Sequence, residues 1–229
     1  MKKLIFILFA FLVISCEAQQ GNFFWSYKTS EFITRWNMPS GDFTLPIYTN
    51  STAISCTVDW GDGSPVSIIS SYTDADRVHN YASSGIYDIK ITGILPHFRP
   101  SQYSATRGYL TDIIQWGDVG VKLFQFSYYL CVNLASIPNT QIPAPKTATF
   151  EFYNGVFEGC TSLTSLPSNM FKLDIPLAGS EFARAFYGCT GITSDVPDLW
   201  NYYDSAYGAL CFRNCTNASN YASIPAAWK

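Results

Sequence analysis

The chain has little charge to work with. Of its 229 residues, 14% are Asp, Glu, Lys or Arg, and the formal net charge is −3. Its cations are not grouped beyond Lys2-Lys3, so the basic face that nucleic-acid binding requires is missing. Long charged amphipathic helices are absent from the pattern. Only two histidines, His79 and His97, and no Cys-x-x-Cys pair are present, so no zinc set can be assembled by spacing. No nucleophile elbow, His-Glu-x-x-His, P-loop or Gly-x-Gly-x-x-Gly occurs. Choosing a glycosidase pair from Asp195, Asp198 and Asp204 would be arbitrary among 17 acidic residues. The expectation is a chain without catalysis, metal or cofactor.

Aromatic residues are what it has in abundance. They make up 17% of the chain, as 15 Tyr, 17 Phe and 6 Trp, and hydrophobic residues reach 48%. Aromatics with many Thr and Ile favour strands, and a large core is available. The length allows one large or two small domains. The fold class expected is mainly β.

The N-terminus reads as a targeting segment. Met1-Lys2-Lys3 is positive, and Leu4 to Ile14 is an unbroken apolar run of 11 residues. About 20 helical residues are needed to cross a bilayer, whereas this length suits the hydrophobic stretch of a signal peptide. The run closes Leu12-Val13-Ile14-Ser15-Cys16. That resembles a bacterial lipobox, which implies removal of residues 1–15, lipidation at Cys16 and a polar tether over 16–22. More than one acyl chain gives stable anchoring. The location implied is the cell envelope, with the chain held at the outer membrane and exposed at the surface.

Residues 23–100 read as a first domain. Phe32 to Trp36 and Thr44 to Tyr48 are expected as short strands, the second an edge or bulged strand because of Pro46. Ile54, Cys56, Val58 and Trp60 alternate with polar residues, the period of a half-buried strand. Gly61-Asp62-Gly63-Ser64 is a tight-turn signal, and Pro65 to Ile69 returns as the paired strand. Tyr87, Ile89 and Ile91 alternate within a further strand. Together these predict an antiparallel sandwich. Asp59-Trp60-Gly61-Asp62-Gly63, followed by His79-x-Tyr81 and Gly85-x-Tyr87-x-Ile89, resembles the PKD domain. That family is an immunoglobulin-like sandwich, generally an extracellular spacer or binding module. Asp59, Asp62 and His79 invite a calcium reading. The stronger reading is that the carboxylates cap turn N–H groups and the histidine satisfies a structural hydrogen bond.

Residues 108–229 carry a repeat. Tyr128-x-x-Cys131, Phe157-x-x-Cys160, Phe186-x-x-Cys189 and Phe212-x-x-Cys215 follow at Cys-to-Cys steps of 29, 29 and 26 residues. Leu134, Leu163, Ile192 and Ala218 lie three residues beyond each Cys, and Pro138, Pro167, Pro197 and Pro225 come after. Four residues before each ring stands Phe124, Tyr153, Phe182 or Gly208. Ile113 to Trp116 reads as an entry strand or an incomplete first copy. Periods of this size mean stacked coils, each unable to bury its own rings, with strand-like segments at the ~4.8 Å ladder spacing. The pattern resembles the BspA-like leucine-rich repeat of bacterial surface proteins, about four copies of a short solenoid. A PKD-like sandwich ahead of such repeats resembles lipoproteins of Bacteroidetes-type bacteria. These resemblances imply adhesion or binding to a protein or glycan at the cell surface.

Seven cysteines occur. With Cys16 lipidated, the regular offsets of Cys131, Cys160, Cys189 and Cys215 point to packing; Cys211 and Cys215 are spaced for a local disulfide. Tyr187, Tyr203 and Tyr207 have no fixed place in the repeat and are the candidate ligand-contact aromatics. The chain ends one residue past Trp228, which suggests a bare solenoid edge open to self-association. Alternatives to the binding reading are a structural subunit of a surface assembly and, last, a carbohydrate-active enzyme.

Overall fold

The computed structural model describes residues 31–48, 53–121, 124–125, 127–142, 153–171 and 181–229. The proposed signal peptide, Cys16 and the tether lie outside these residues. Seven strands form: β1 Phe32–Met38, β2 Gly41–Thr44, β3 Ser55–Asp59, β4 Ser67–Ile69, β5 Val78–Tyr81, β6 Gly85–Ile94 and β7 Leu110–Gln115. They make a five-stranded antiparallel sheet in the order β4-β3-β6-β1-β7 and a two-stranded sheet of β2 and β5. No α-helix occurs among the described residues.

Period two sets the core face. β1 buries Phe32, Thr34, Trp36 and Met38 and turns Ile33, Arg35 and Asn37 outward. The buried Thr34 hydroxyl accepts the Trp36 indole N–H at 2.8 Å, so the polar group is not left without a partner. Cys56 and Val58 of β3, Ile69 of β4 and Ile89 and Ile91 of β6 lie on the same inner face. The two sheets meet through rings: Phe43 of β2 stands edge-on to Trp36 at 5.1 Å and to Trp60 at 6.3 Å. On the outer face, Arg35 of β1 is held by both oxygens of Asp88 of β6, beside the exposed Ile68, Ile86, Ile94 and Ile114.

Two strand expectations shift. The strand expected over Thr44 to Tyr48 forms earlier, as β2, and only Ile47 keeps a bridge, to Phe98. Pro46 has no N–H to give a ladder, and the Leu45 N–H goes instead to the Arg77 carbonyl. The second shift concerns Ile113 to Trp116, expected to open the repeat domain. Residues 110–115 are β7, the edge of the five-stranded sheet against β1. The other side of β7 meets the first repeat: Ile113 N–H bonds the Ser136 carbonyl and Ala135 N–H bonds the Thr111 carbonyl. One strand therefore serves both parts of the chain.

The repeats stack, but not as strands. None forms among the described residues beyond β7; turns and short 3₁₀ segments such as Leu199–Asn201 and Ala226–Trp228 take their place. N–H groups at alternate residues bond the next copy: Gly155, Phe157 and Gly159 to the carbonyls of 183, 185 and 187, and Phe182, Arg184, Phe186 and Gly188 to those of 207, 209, 211 and 213. Within a copy the chain turns on itself, as in Val156 N–H to Tyr153 and Cys160 N–H to Phe157. Such turns need left-handed residues at fixed places. The residue before each repeat Cys has positive φ (Leu130 55°, Gly159 75°, Gly188 73°, Asn214 66°). So has the residue five before Cys in three copies, at Gly155, Arg184 and Leu210. A left-handed residue every four positions breaks strand geometry while leaving the ladder bonds intact.

Side chains repeat with the backbone. Tyr128, Phe157, Phe186 and Phe212 stack nearly parallel at 5.2, 5.6 and 5.5 Å. Phe124, Tyr153 and Phe182 form a second column at 6.4 and 5.6 Å. The last copy has Gly208 where the others have a ring, and the Trp228 indole fills that space: a Cβ on Gly208 would lie 2.1 Å from it. Trp228 also stacks on Phe212 and accepts its N–H. The edge expected to be bare is thus covered at Phe212.

Candidate functional site

Each repeat cysteine is spent on the stack. The Cys160 thiol donates to the Tyr128 carbonyl at 3.2 Å, Cys189 to Phe157 at 3.0 Å and Cys215 to Phe186 at 3.0 Å. Cys131 and these three are buried. Burial pushes every one of these thiols up, Cys215 to about 12, so no thiolate forms at neutral pH. Cys211 and Cys215 are not paired; Cys211 fills the buried place that Ser127, Val156 and Ala185 fill in the other copies.

The Trp-Gly-Asp-Gly turn is also bound up in structure. Asp59 accepts the Gly61 N–H at 2.9 Å and Asp62 the Ser64 N–H at 3.0 Å. The second Asp62 oxygen meets His79 Nε2 at 2.7 Å. The His79 ring lies flat on Trp60 at 4.8 Å, and the Tyr81 hydroxyl donates to the Trp60 carbonyl. Burial pulls the Asp62 carboxyl up, but the bonds from Ser64 and His79 outweigh it and hold the group at about 2. Gly61 has φ +80° and passes so close to β6 that a Cβ would sit 2.6 Å from the Asp88 carbonyl. No group of three His, Cys, Asp or Glu side chains is placed to hold a metal among the described residues.

The candidate aromatics separate. Tyr203 packs on Phe182 at 5.3 Å and Tyr207 on Tyr203 at 6.3 Å, so both extend the second ring column. Tyr187 lies elsewhere, beneath the Arg184 guanidinium at 4.7 Å. It belongs to the position two before Cys, which reads Tyr129, Glu158, Tyr187 and Arg213 through the copies.

That variable position leads to an open depression of about 350 Å³ lined by Arg99, Tyr129, Glu158 and Arg184. Glu158 is only 5% exposed. Arg184 grips it with two groups: Nε donates to one oxygen at 2.9 Å and Nη2 to the other. That pairing, more than the opposing burial, raises the Arg184 pKa. Arg99 enters from the segment after β6. Its guanidinium lies over the Tyr48 ring at 4.8 Å, and Nε donates to Ser101 at 3.2 Å. The sequence reading missed Arg99, Glu158 and Arg184. For Glu158 the available signal was the position two before Cys, which changes chemistry from copy to copy while ring and Cys do not; Arg184 lies five before its Cys and Arg99 outside the repeat.

Compared with known proteins, the chain matches no family model, no curated protein and no solved structure. No helix of the described residues is long and apolar enough to cross a membrane.

Proposed function

We propose that the chain is a non-catalytic, lipid-anchored surface protein of the cell envelope that binds a glycan or protein. On this reading residues 23–100, together with β7, are a PKD-like sandwich, and the turns from 127 onward are a short BspA-like solenoid. The lipobox at Ser15-Cys16 supplies the anchor and the outer-membrane location.

One observation carries the binding reading. The invariant parts of the repeat, rings and thiols, are buried in two columns and a hydrogen-bonded ladder. The part that varies contributes Tyr129 and Glu158 to an open depression that Arg99 and Arg184 complete, a set of groups suited to recognition: two guanidiniums, a phenol and a carboxylate. A rigid stack with a changing outer column is how repeat arrays present a binding face. Self-association through the last coil has less behind it, because Trp228 already covers Phe212.

A glycan and surface-protein array probed with the chain from residue 16 tests the reading. Saturable binding to one class, weakened by substitution at Tyr129, is expected; silence across both arrays rejects it. Palmitate labelling tests the anchor, and a Cys16→Ala variant that still labels rejects it.

A further inference from the structure

Resting on the reading of this chain as a binding protein, we propose that the depression between Arg99 and Arg184 recognises the carboxylate of an acidic sugar. The lining decides the charge. Among the described residues that line it are two arginines and one glutamate. Glu158 is already neutralised, since Arg184 engages both its oxygens. That grip uses Nε and Nη2, two sites of a guanidinium with five N–H bonds. Arg184 keeps donors to offer, and its side chain is 45% exposed. Arg99 is steadied over Tyr48 and Arg184 over Tyr187. Both forks are thereby held in place before a ligand arrives, which lowers the entropy cost of binding. A planar fork matches a carboxylate.

The backbone argues for a sugar over a peptide. A peptide gains affinity by adding main-chain bonds to a free edge. Here the ladder donors are consumed: Leu130 N–H bonds the Glu158 carbonyl, Gly159 N–H the Tyr187 carbonyl and Arg184 N–H the Ala209 carbonyl. What the depression presents is side chains, with the Tyr129 ring as an apolar surface for a pyranose face. About 350 Å³ is at the lower end for a small-ligand site, which suits one or two sugar rings.

Isothermal titration of the chain with an oligogalacturonate tests this. The controls are the methyl-esterified oligomer of equal length and a glutamate peptide of equal charge. The acidic oligomer should bind saturably, weaken as salt is raised, and lose at least about tenfold in affinity in Arg99→Gln, a variant that leaves the buried Glu158–Arg184 pair intact. Tyr129→Ala should weaken it too. Equal binding of the ester, equal binding of the peptide, no binding of the oligomer, or an unchanged Arg99→Gln each overturns the proposal. Binding of a neutral ligand on the arrays would then leave the broader reading standing without the acidic one.

Discussion

His97 is 5% exposed, and its Nε2 is buried without a hydrogen-bond partner. Its ring lies 4.6 Å from Tyr48, and Arg99 is two residues away. Burial, and then the Arg99 charge, pull its pKa down to about 4, against a smaller upward pull from the Gln125 carbonyl. The folded state thus holds the imidazole neutral where the unfolded chain, at about 6.5, would protonate it. Stability from this group is complete above 6.5 and is lost as pH falls from 6.5 toward 4, by at most roughly 3 kcal/mol. Asp62, held at about 2, loses its contribution only below the ordinary carboxylate range, so the two effects do not overlap. Between pH 7 and 4.5 the wild-type chain should lose more thermal stability than His97→Gln. Parallel melting temperatures for the two over that span would contradict the assignment.

At the scale of elements, the last copy shows how the stack closes. Phe212 completes the first ring column, Gly208 leaves a gap in the second, and Trp228 fills the gap while accepting the Phe212 N–H. Trp228→Ala removes a buried indole and should cost about 3–5 kcal/mol. Gly208→Ala forces a methyl against the same ring and should cost about 1–3 kcal/mol. Urea unfolding checks both, and a Gly208→Ala protein as stable as wild type would show that the indole does not sit there. The same elements show what a sequence discloses. β1, β3, β4 and β6 were legible because alternation in Phe32–Met38 or Ile54 to Trp60 records a face. The ring columns were legible because position repeats. The turns were not, since Leu130, Arg184, Leu210 and Asn214 take left-handed conformations that their identities do not announce. The depression was hidden for a different reason: Arg99, Glu158 and Arg184 come together only when the sheets and the stacked turns are in place.

For the whole molecule, the question is whether the two sheets and the stack are separable. β7 says they are not. It pairs with β1 through Thr34↔Ile113, Arg35↔Asp112 and Trp36↔Leu110, and bonds the first coil through Ile113 and Ala135. Directly after it, Trp116 packs on Phe124, Tyr128 and Phe157, the start of both ring columns. Further bonds cross at Leu95 N–H to Val119, Ser101 N–H to Ser127 and Asn133 to the Gly108 carbonyl. Removing the stack would expose the β7 edge and the Trp116 ring. Removing β7 as well would bare the β1 backbone along an apolar core, the kind of edge that aggregates. Length alone would allow two transitions in a chain of this size; the shared strand predicts one. Urea curves by tryptophan fluorescence and by far-ultraviolet circular dichroism should therefore coincide. A chain ended at residue 105, which keeps every strand but β7, should show no cooperative transition. Cooperative unfolding of that fragment near the full-length midpoint would mean that the sheets close without β7 and that the two parts are independent.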